Sequence, residues 1–393
     1  MSVPARTAAY MIAARRTPVT PRGGGLSAYQ VDELAAPVLR MVLMDVGVPP
    51  ASVDHVILGN ALYAGGNPAR MAMLRAGLPS TVPAMTLDSQ CCSGLDAIIM
   101  ASRLIEAGAA ECVLAGGAES FSRAPIRMKR PLDKTSSPVA YNRPSFAPPP
   151  YADPDLAEAA ARLATDRAIS REAQAEFAIA SHAKAIEAKS RHDGNLVLVS
   201  DHAPVDEFTR NLTLKTAMRA AVLAGHHDSG LTAATIACEA DAAAGVLLVS
   251  ERIWKDMAIP ALRLLAGRSE GGDPSDPALV PAKVAISLFE GLKRSTRDFG
   301  CIELMEAYAV QAMVTAMDLG VAPRQLNRLG GALARGHPIG ASGAVLAVQL
   351  FEQMIRTQGK AGAGAAGPGL ALIAAAGGLA SGLVVERAVS KGG

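Results

Sequence analysis

Apolar residues come in short blocks punctuated by glycine, and the spacing within each block sorts strands from helices. Ala8–Ala13 is a continuous apolar run of strand length. Val31–Val46 carries helical spacing and stops at Gly47, and Val53–Leu58 reads as a strand that ends at Gly59-Asn60. After a turn at Gln90–Gly94, Leu95–Ala107 is helical and is closed by Gly108. Glu111–Ala115 is a buried strand running into Gly116-Gly117. Strands alternating with helices predict a parallel sheet covered on both faces.

The texture then changes. Ser136–Pro154 is rich in Pro and Ser and reads as loop, and two amphipathic helices follow at Leu156–Ala164 and Arg171–Lys189. Ser170 stands where an N-cap is wanted. This insert runs to about Ala234, after which Ala242–Ser250 returns to a strand-like run. Cys301–Met317 has the look of a helix, a glycine-rich turn spans Gly330–Gly343, Ala344–Ile355 is helical, and Leu370–Ala375 is a strand ending in Gly377-Gly378. The endings Val113–Ala118 and Ala374–Leu379 resemble each other, as they would in a duplicated α/β unit. Uncharged Ala361–Val385 is long enough to span a bilayer, but its glycines fit two buried strands joined by a turn better.

Composition narrows the class. The chain has 393 residues, half of them hydrophobic and 19% charged, with a net charge of +2. That length suggests roughly two or three domains with a sizeable core. Neither a basic tail nor basic–aromatic interleaving is present, which argues against a nucleic-acid partner. The cluster Arg123, Arg127, Lys129, Arg130 and Lys134 reads as a solvated loop, or as a contact for an anionic ligand or a neighbouring subunit. Five unpaired-looking cysteines argue for a reducing compartment, and none has zinc spacing. The first apolar run precedes its double Arg, the reverse of a signal peptide, so a cytoplasmic protein without a membrane span is expected.

Two segments carry chemistry. Asp88-Ser89-Gln90-Cys91-Cys92-Ser93-Gly94-Leu95 puts a cysteine at a predicted helix start, where free N–H groups favour a thiolate. Position alone leaves both cysteines open to the alternative of small buried apolar residues. The second is Gly330–Gly343, with His337 in a turn fixed by Pro338 and flanking glycines. A histidine held so rigidly is a candidate base. The other six histidines are weaker: His182 lies on a predicted helix, and His55, His192, His202 and the His226-His227 pair lie beside strands or in polar loops.

In combination these motifs resemble the thiolase family. Cys91-Cys92-Ser93-Gly94-Leu95, Ala115-Gly116-Gly117-Ala118-Glu119-Ser120, Ser122-Arg123-Ala124-Pro125 and Gly336-His337-Pro338-Ile339-Gly340-Ala341-Ser342-Gly343 follow the family in content and order. Arg16-Thr17-Pro18, Asn67-Pro68-Ala69-Arg70, Val82–Thr86 and Ile169-Ser170-Arg171-Glu172 extend the match over nearly the whole chain. The resemblance implies a five-layered αβαβα fold of two duplicated halves with an inserted loop domain: 1–119 plus 235–260, 120–234, and 261–393. It implies a homodimer or homotetramer acting on coenzyme A thioesters in fatty-acid metabolism, with no metal or redox cofactor. Cys91 would take the acyl group and His337 would activate it. The backbone N–H groups of Cys91 and Ala376 would form an oxyanion hole, and Leu156, Arg219, Ala237, Met305, Tyr308 and Ala374 would meet substrate. In the family the strand after the nucleophile helix pairs across the subunit two-fold, a role that falls to Glu111–Ala115.

Four stretches depart from the family pattern. Its Asn-Glu-Ala-Phe reads Met305-Glu306-Ala307-Tyr308, and its Cys-x-Gly reads Ala374-Ala375-Ala376. Its Asn-Ala-Ser-Gly reads Thr235-Ile236-Ala237-Cys238, and its Met-Gly reads Leu156-Ala157. A Met cannot hold the water that the Asn would, and the thiol that moves the α-carbon proton is replaced by a methyl. The expected function is a C-acyltransferase, making or cleaving a 3-ketoacyl thioester through a Cys91 acyl-enzyme. The alternatives are an atypical acyltransferase or thioesterase, or a weakly catalytic partner subunit.

Overall fold

The computed structural model describes residues 7–62, 65–189, 196–199, 201–356 and 367–389. The first half contains β1 (Ala9–Arg16), β2 (Thr20–Pro21), α1 (Val31–Met44), β3 (His55–Gly59), α2 (Pro68–Arg75), β4 (Ala84–Leu87), α3 (Ser93–Glu106) and β5 (Cys112–Ser120). The insert contributes β6 (Met128–Lys129), β7 (Val139–Ala140), α4 (Leu156–Asp166), α5 (Arg171–Ala188), α6 (Leu214–Arg219), β8 (Val222–Ala224) and β9 (Leu231–Thr232). The chain then returns through β10 (Ala240–Ser250) and α7 (Glu251–Met257). The second half is β11 (Ala261–Gly271), α8 (Val280–Leu292), β12 (Cys301–Leu304), α9 (Ala309–Asp318), α10 (Ala332–Arg335), α11 (Ile339–Phe351), β13 (Gly369–Ala375) and β14 (Leu379–Ala388).

Strand order is β12-β13-β14-β11-β1-β10-β5-β3-β4. Two half-sheets meet where β1 pairs with β11 at Tyr10–Arg263 and Met11–Leu262. Within each half the pairing repeats. β10 is antiparallel to β1 and β5, as β14 is to β11 and β13. β3 runs parallel to β5, as β12 does to β13. The sheet is therefore mixed, not the parallel sheet the alternation predicts. Parallel pairs survive only where a helix makes the crossover; the β13–β14 connection is a glycine turn, with Gly377 at φ +79 and Gly378 at φ +77, and a turn that tight returns the chain antiparallel. The two strands expected near the C-terminus are thus present, while residues 361–366 of that run and His192 lie outside the described residues.

Helices α3 and α11 form the central layer, packed together and against both half-sheets. Their shared core includes Leu95, Ile98, Leu346 and Leu350. α11 is apolar around its whole circumference because it is covered all round: Gly340–Ala344 and Leu346–Phe351 are buried. Each fully buried Leu or Ile there contributes about 1.5–3 kcal/mol. α1 and α2 cover the outer face of the first half-sheet, with Leu34, Val38, Leu39 and Met73 in its core. α8 and α9 cover the second, with Val284, Leu288 and Ala312.

Three other sequence expectations need correction. Cys301–Met317 is not one helix: Cys301–Leu304 is a strand buried on both sides, and the helix starts at Ala309. An apolar run covered on both faces has no period to distinguish it from a helix. Gly116-Gly117 does not end β5, which continues through them to Ser120. Lastly, β5 has no free edge, since β10 and β3 occupy both sides, so Glu111–Ala115 cannot pair across a two-fold. β4 closes the strand order on this side and has β3 as its one neighbour among the described residues.

Candidate active site

Cys91 and His337 come from opposite halves and meet at the N-terminal ends of α3 and α11. Small residues allow that meeting. A Cβ at Gly94 would lie 2.7 Å from the Gly340 carbonyl oxygen, and one at Gly343 would lie 2.6 Å from the Leu95 nitrogen. A Cβ at Gly117 would run into the same Gly340 carbonyl, so this glycine of β5 admits the start of α11, whereas one at Gly116 would meet the Ala244 carbonyl of β10.

Cys91 stands on a tight turn just before α3. Gln90 adopts a left-handed conformation at φ +56, which few non-glycine residues do. Its backbone N–H donates to Asp88 Oδ1 at 2.9 Å, and the Ser89 N–H donates to Ser93 Oγ at 2.9 Å. These bonds hold the turn and turn the Cys91 side chain towards His337. Cys92, by contrast, is fully buried in the central core.

His337 follows Gly336, whose φ of +119 only glycine adopts readily. The His337 N–H donates to the Cys238 carbonyl at 2.7 Å, tying the turn to the strand that leads into β10. His337 Nδ1 lies 2.6 Å from Ser342 Oγ one turn along α11, and Nε2 lies 3.0 Å from Cys91 Sγ. The tautomer that suits both contacts keeps the proton on Nδ1 and leaves Nε2 free to accept from the thiol.

Both members of the pair are neutral at rest. Burial pushes the Cys91 thiol up to about 12, although N–H groups of Ala376 and of Cys91 itself point at the sulfur and pull the other way. Burial lowers His337 to about 4. A neutral imidazole beside a neutral thiol is a base next to a latent nucleophile, and the two N–H groups can hold an oxyanion formed on a carbon attached to that sulfur.

Buried carboxyls brace this centre. Glu119 accepts from Asn60 Nδ2 at 2.7 Å, from the Ala61 N–H at 3.0 Å and from the Gly340 N–H at 2.9 Å, so it pins the start of α11 to the loop after β3. Burial raises its pKa to about 7. Glu306 accepts from Ser181 Oγ at 2.7 Å, Asn327 Nδ2 at 2.6 Å and the Leu333 N–H at 3.2 Å, joining the insert to the glycine turn. Two residues before His337, Arg335 donates through Nε to Asp206 at 2.8 Å, and Arg16 holds the same carboxylate at 2.7 Å. Burial alone would raise Asp206, but the two guanidiniums outweigh it and hold the carboxylate well below its usual range.

A cavity of about 120 Å³ opens over the pair. Of the residues singled out from sequence, Cys91, Leu156, Ala237, Tyr308, His337, Ala374 and Ala376 all line it. Met305 does not: it is 2% exposed, packs in the central core and borders a separate small cavity behind His337 with Glu303 and Ser342. Arg219 is exposed at the end of α6, also away from the cavity lining. Sequence reasoning missed the apolar wall made by Ala159, Ala160 and Leu163 of α4 with Pro277–Leu279. The amphipathic pattern of α4 was the available signal for the first three; nothing local marks 277–279. Ser342, Asn60 and Glu306 were missed as braces although two of them lie within the quoted motifs. His227 is exposed beside Asp228, and no cluster of three or more metal-ligating side chains occurs among the described residues.

Comparison with known proteins agrees with this geometry. The profile for "Thiolase, N-terminal domain" matches residues 9–252, and that for "Thiolase, C-terminal domain" matches 260–387. The chain belongs to the thiolase family. Over 383 residues it is 34% identical to VraB of Staphylococcus aureus (strain MRSA252), provisionally assigned as an acetyl-CoA C-acetyltransferase, spanning 90% of this chain and 96% of that one. YhfS of Bacillus subtilis (strain 168), assigned likewise, is 35% identical over 355 residues, spanning 88% and 92%. The crystal structure of Bacillus anthracis acetyl-CoA acetyltransferase superposes with a TM-score of 0.88 at 28% identity, over 98% of this chain and 100% of that one. That of human mitochondrial 3-ketoacyl-CoA thiolase in complex with CoA gives 0.88 at 26%, over 98% of each.

Proposed function

We propose that this protein is an acyl-CoA C-acyltransferase that works through a thioester on Cys91. The observation that carries the reading is the 3.0 Å approach of Cys91 Sγ to His337 Nε2 beneath an apolar cavity. His337 accepts the thiol proton as sulfur attacks the substrate carbonyl. The negative charge that develops on oxygen meets the N–H groups of Cys91 and Ala376, and the leaving group departs with the acyl chain left on sulfur. A carbon nucleophile then takes the acyl group in condensation, or coenzyme A takes it in cleavage. No step calls for a metal or redox cofactor. The apolar cavity wall supports acyl-chain binding by Leu156, Ala237, Tyr308 and Ala374, and Arg219, exposed at the end of α6, is read as a contact for the polar part of the coenzyme. Incubation with an acyl-CoA followed by peptide mapping should put the acyl mass on Cys91, and Cys91→Ala should abolish it. Label on Cys92 alone, or on no residue with any acyl-CoA, overturns the reading.

The same reading includes a cytoplasmic homo-oligomer. β4 supports it, because no strand among the described residues pairs with its outer edge, and a short edge strand of this kind invites a second copy. Light scattering should give a multiple of the 40.3 kDa chain mass; a monomer over a wide concentration range would count against it.

A further inference from the structure

Acylation of Cys91 uses one nucleophile and one base, but carbon–carbon chemistry needs something more. Cleaving a 3-ketoacyl thioester leaves an electron pair on the α-carbon, and an acid must protonate it. Ala374, in the strand facing the cavity, offers only a methyl. Apart from Cys91 and His337, two cavity-lining residues carry an ionisable oxygen: Asp276 and Tyr308. Asp276 is 43% exposed and engaged by Arg162 at 2.8 Å. Its apolar neighbours Pro277–Leu279 line the cavity beside it.

Tyr308 is placed differently. It is the N-cap residue of α9, and the backbone around it is fixed: the Ala309 N–H donates to the Thr235 carbonyl at 2.9 Å and the Ala237 N–H to the Ala307 carbonyl at 3.0 Å. Its ring packs against the apolar cluster that includes Ala160, Leu163, Val310 and Val314. Its hydroxyl has no hydrogen-bond partner among the described residues. A half-buried phenol left without a partner while lining a cavity is a donor reserved for whatever fills that cavity. Burial raises its pKa, and Asp155 and then Cys91 raise it further, so the group holds its proton at neutral pH and lies within electrostatic reach of the sulfur.

We propose that the Tyr308 phenol is the acid that serves the α-carbon, a catalytic role that rests on the acyl-enzyme reading above. In the cleavage direction Cys91 sulfur bonds to the C3 carbonyl carbon and the C2–C3 bond breaks. The electron pair passes to C2, which takes the phenol proton, and acetyl-CoA leaves. The resulting phenolate takes the thiol proton of incoming coenzyme A, whose sulfur attacks the acyl carbon and frees Cys91 as a thiolate, to which His337 returns the proton it took. Condensation runs the same steps backwards, with the phenolate taking the α-proton.

The two halves of the reaction can be measured separately. In exchange of labelled coenzyme A into acetyl-CoA no carbon is protonated: His337 passes the Cys91 proton to the departing coenzyme A and recovers it from the incoming one, so Cys91 and His337 suffice, whereas acetoacetyl-CoA cleavage needs the α-carbon acid as well. Tyr308→Phe, which removes a hydroxyl bonded to no group among the described residues, should lower kcat for cleavage by about 10²–10⁴ and leave exchange within about threefold. Asp276→Asn should leave both unchanged. Equal losses in exchange and cleavage for Tyr308→Phe, or full cleavage by that variant, overturns the proposal, as does loss of cleavage in Asp276→Asn alone. Failure of the wild type to exchange label at all would instead sink the acyl-enzyme reading, so the two failures are distinguishable.

Discussion

At the scale of single residues, the chemistry rests on keeping two groups uncharged. A histidine of ordinary pKa would be about 90% protonated at pH 5.5 and useless as a base. His337, lowered to about 4 by burial, stays neutral there. Acylation of Cys91 should therefore be nearly level from about pH 5.5 to 8 and fall only as the pH approaches 4. A stopped-flow pH profile with a mid-point near 6.5 would contradict this. His337→Ala should slow acylation by about 10²–10⁴ throughout. Met305 makes a different point. Its side chain is turned into the core, so Met305→Asn would not place an amide over the substrate. It would bury a polar group with no prepared partner, at a cost of about 1–3 kcal/mol. Urea unfolding should show that loss, with no gain in turnover.

Elements carry the placement. α3 and α11 approach closely enough for a 3.0 Å contact because glycines line their crossing and the facing position of β5. Gly117→Ala forces the Gly340 carbonyl to move, and His337 lies three residues before it. The expected result is about 1–3 kcal/mol lost from overpacking and a larger fractional loss of Cys91 acylation than the stability change alone explains. Thermal melts and labelling rates on the same samples check this.

Local chemistry narrowed the nucleophile and base to a cysteine pair at a helix start and a histidine between a glycine and a proline, and the resemblance of the motifs to the family then chose Cys91 over Cys92. The core helices were legible from their period, and the second half's last two strands from the glycines between them. Cys301–Leu304 was not, since burial on both faces erases the pattern that separates strand from helix. Glycines 116 and 117 looked like a strand end because the sequence does not show what packs against them, the β10 backbone at Gly116 and the start of α11 at Gly117. The cavity wall at 277–279 was hidden for a similar reason, as it faces α4 from more than a hundred residues away.

For the whole molecule, buried titratable groups oppose one another. His182 and His337, both lowered to about 4 by burial, leave the folded state short of protons that the unfolded chain takes up below pH 6.5, so their contribution is lost as pH falls from 6.5 to 4. Glu119 and Glu303, both raised to about 7 by burial, do the reverse. The fold holds their protons where the unfolded chain releases them, so their contribution grows as pH falls from 7 to 4.5. Asp241, also raised by burial, adds to the second group. Stability should thus change little between pH 4.5 and 6.5. Glu303→Gln keeps an acceptor for Gln353 Nε2, which bonds Glu303 at 2.6 Å, but removes one term. Its urea mid-point should exceed the wild-type value at pH 8 and drop below it on acidification; an unchanged pH slope would refute the assignment.

The seam between the half-sheets also dictates when the protein can fold during synthesis. β1 leaves the ribosome among the first residues, yet both of its partners, β10 and β11, lie in residues 240–271. Until that stretch emerges, the apolar run Ala9–Ala14 has neither of its partner strands and must be kept from other chains by a chaperone or by transient contacts. A nascent chain arrested before Gly271 should be a chaperone client with a protease-sensitive N-terminus, and one released beyond it should not.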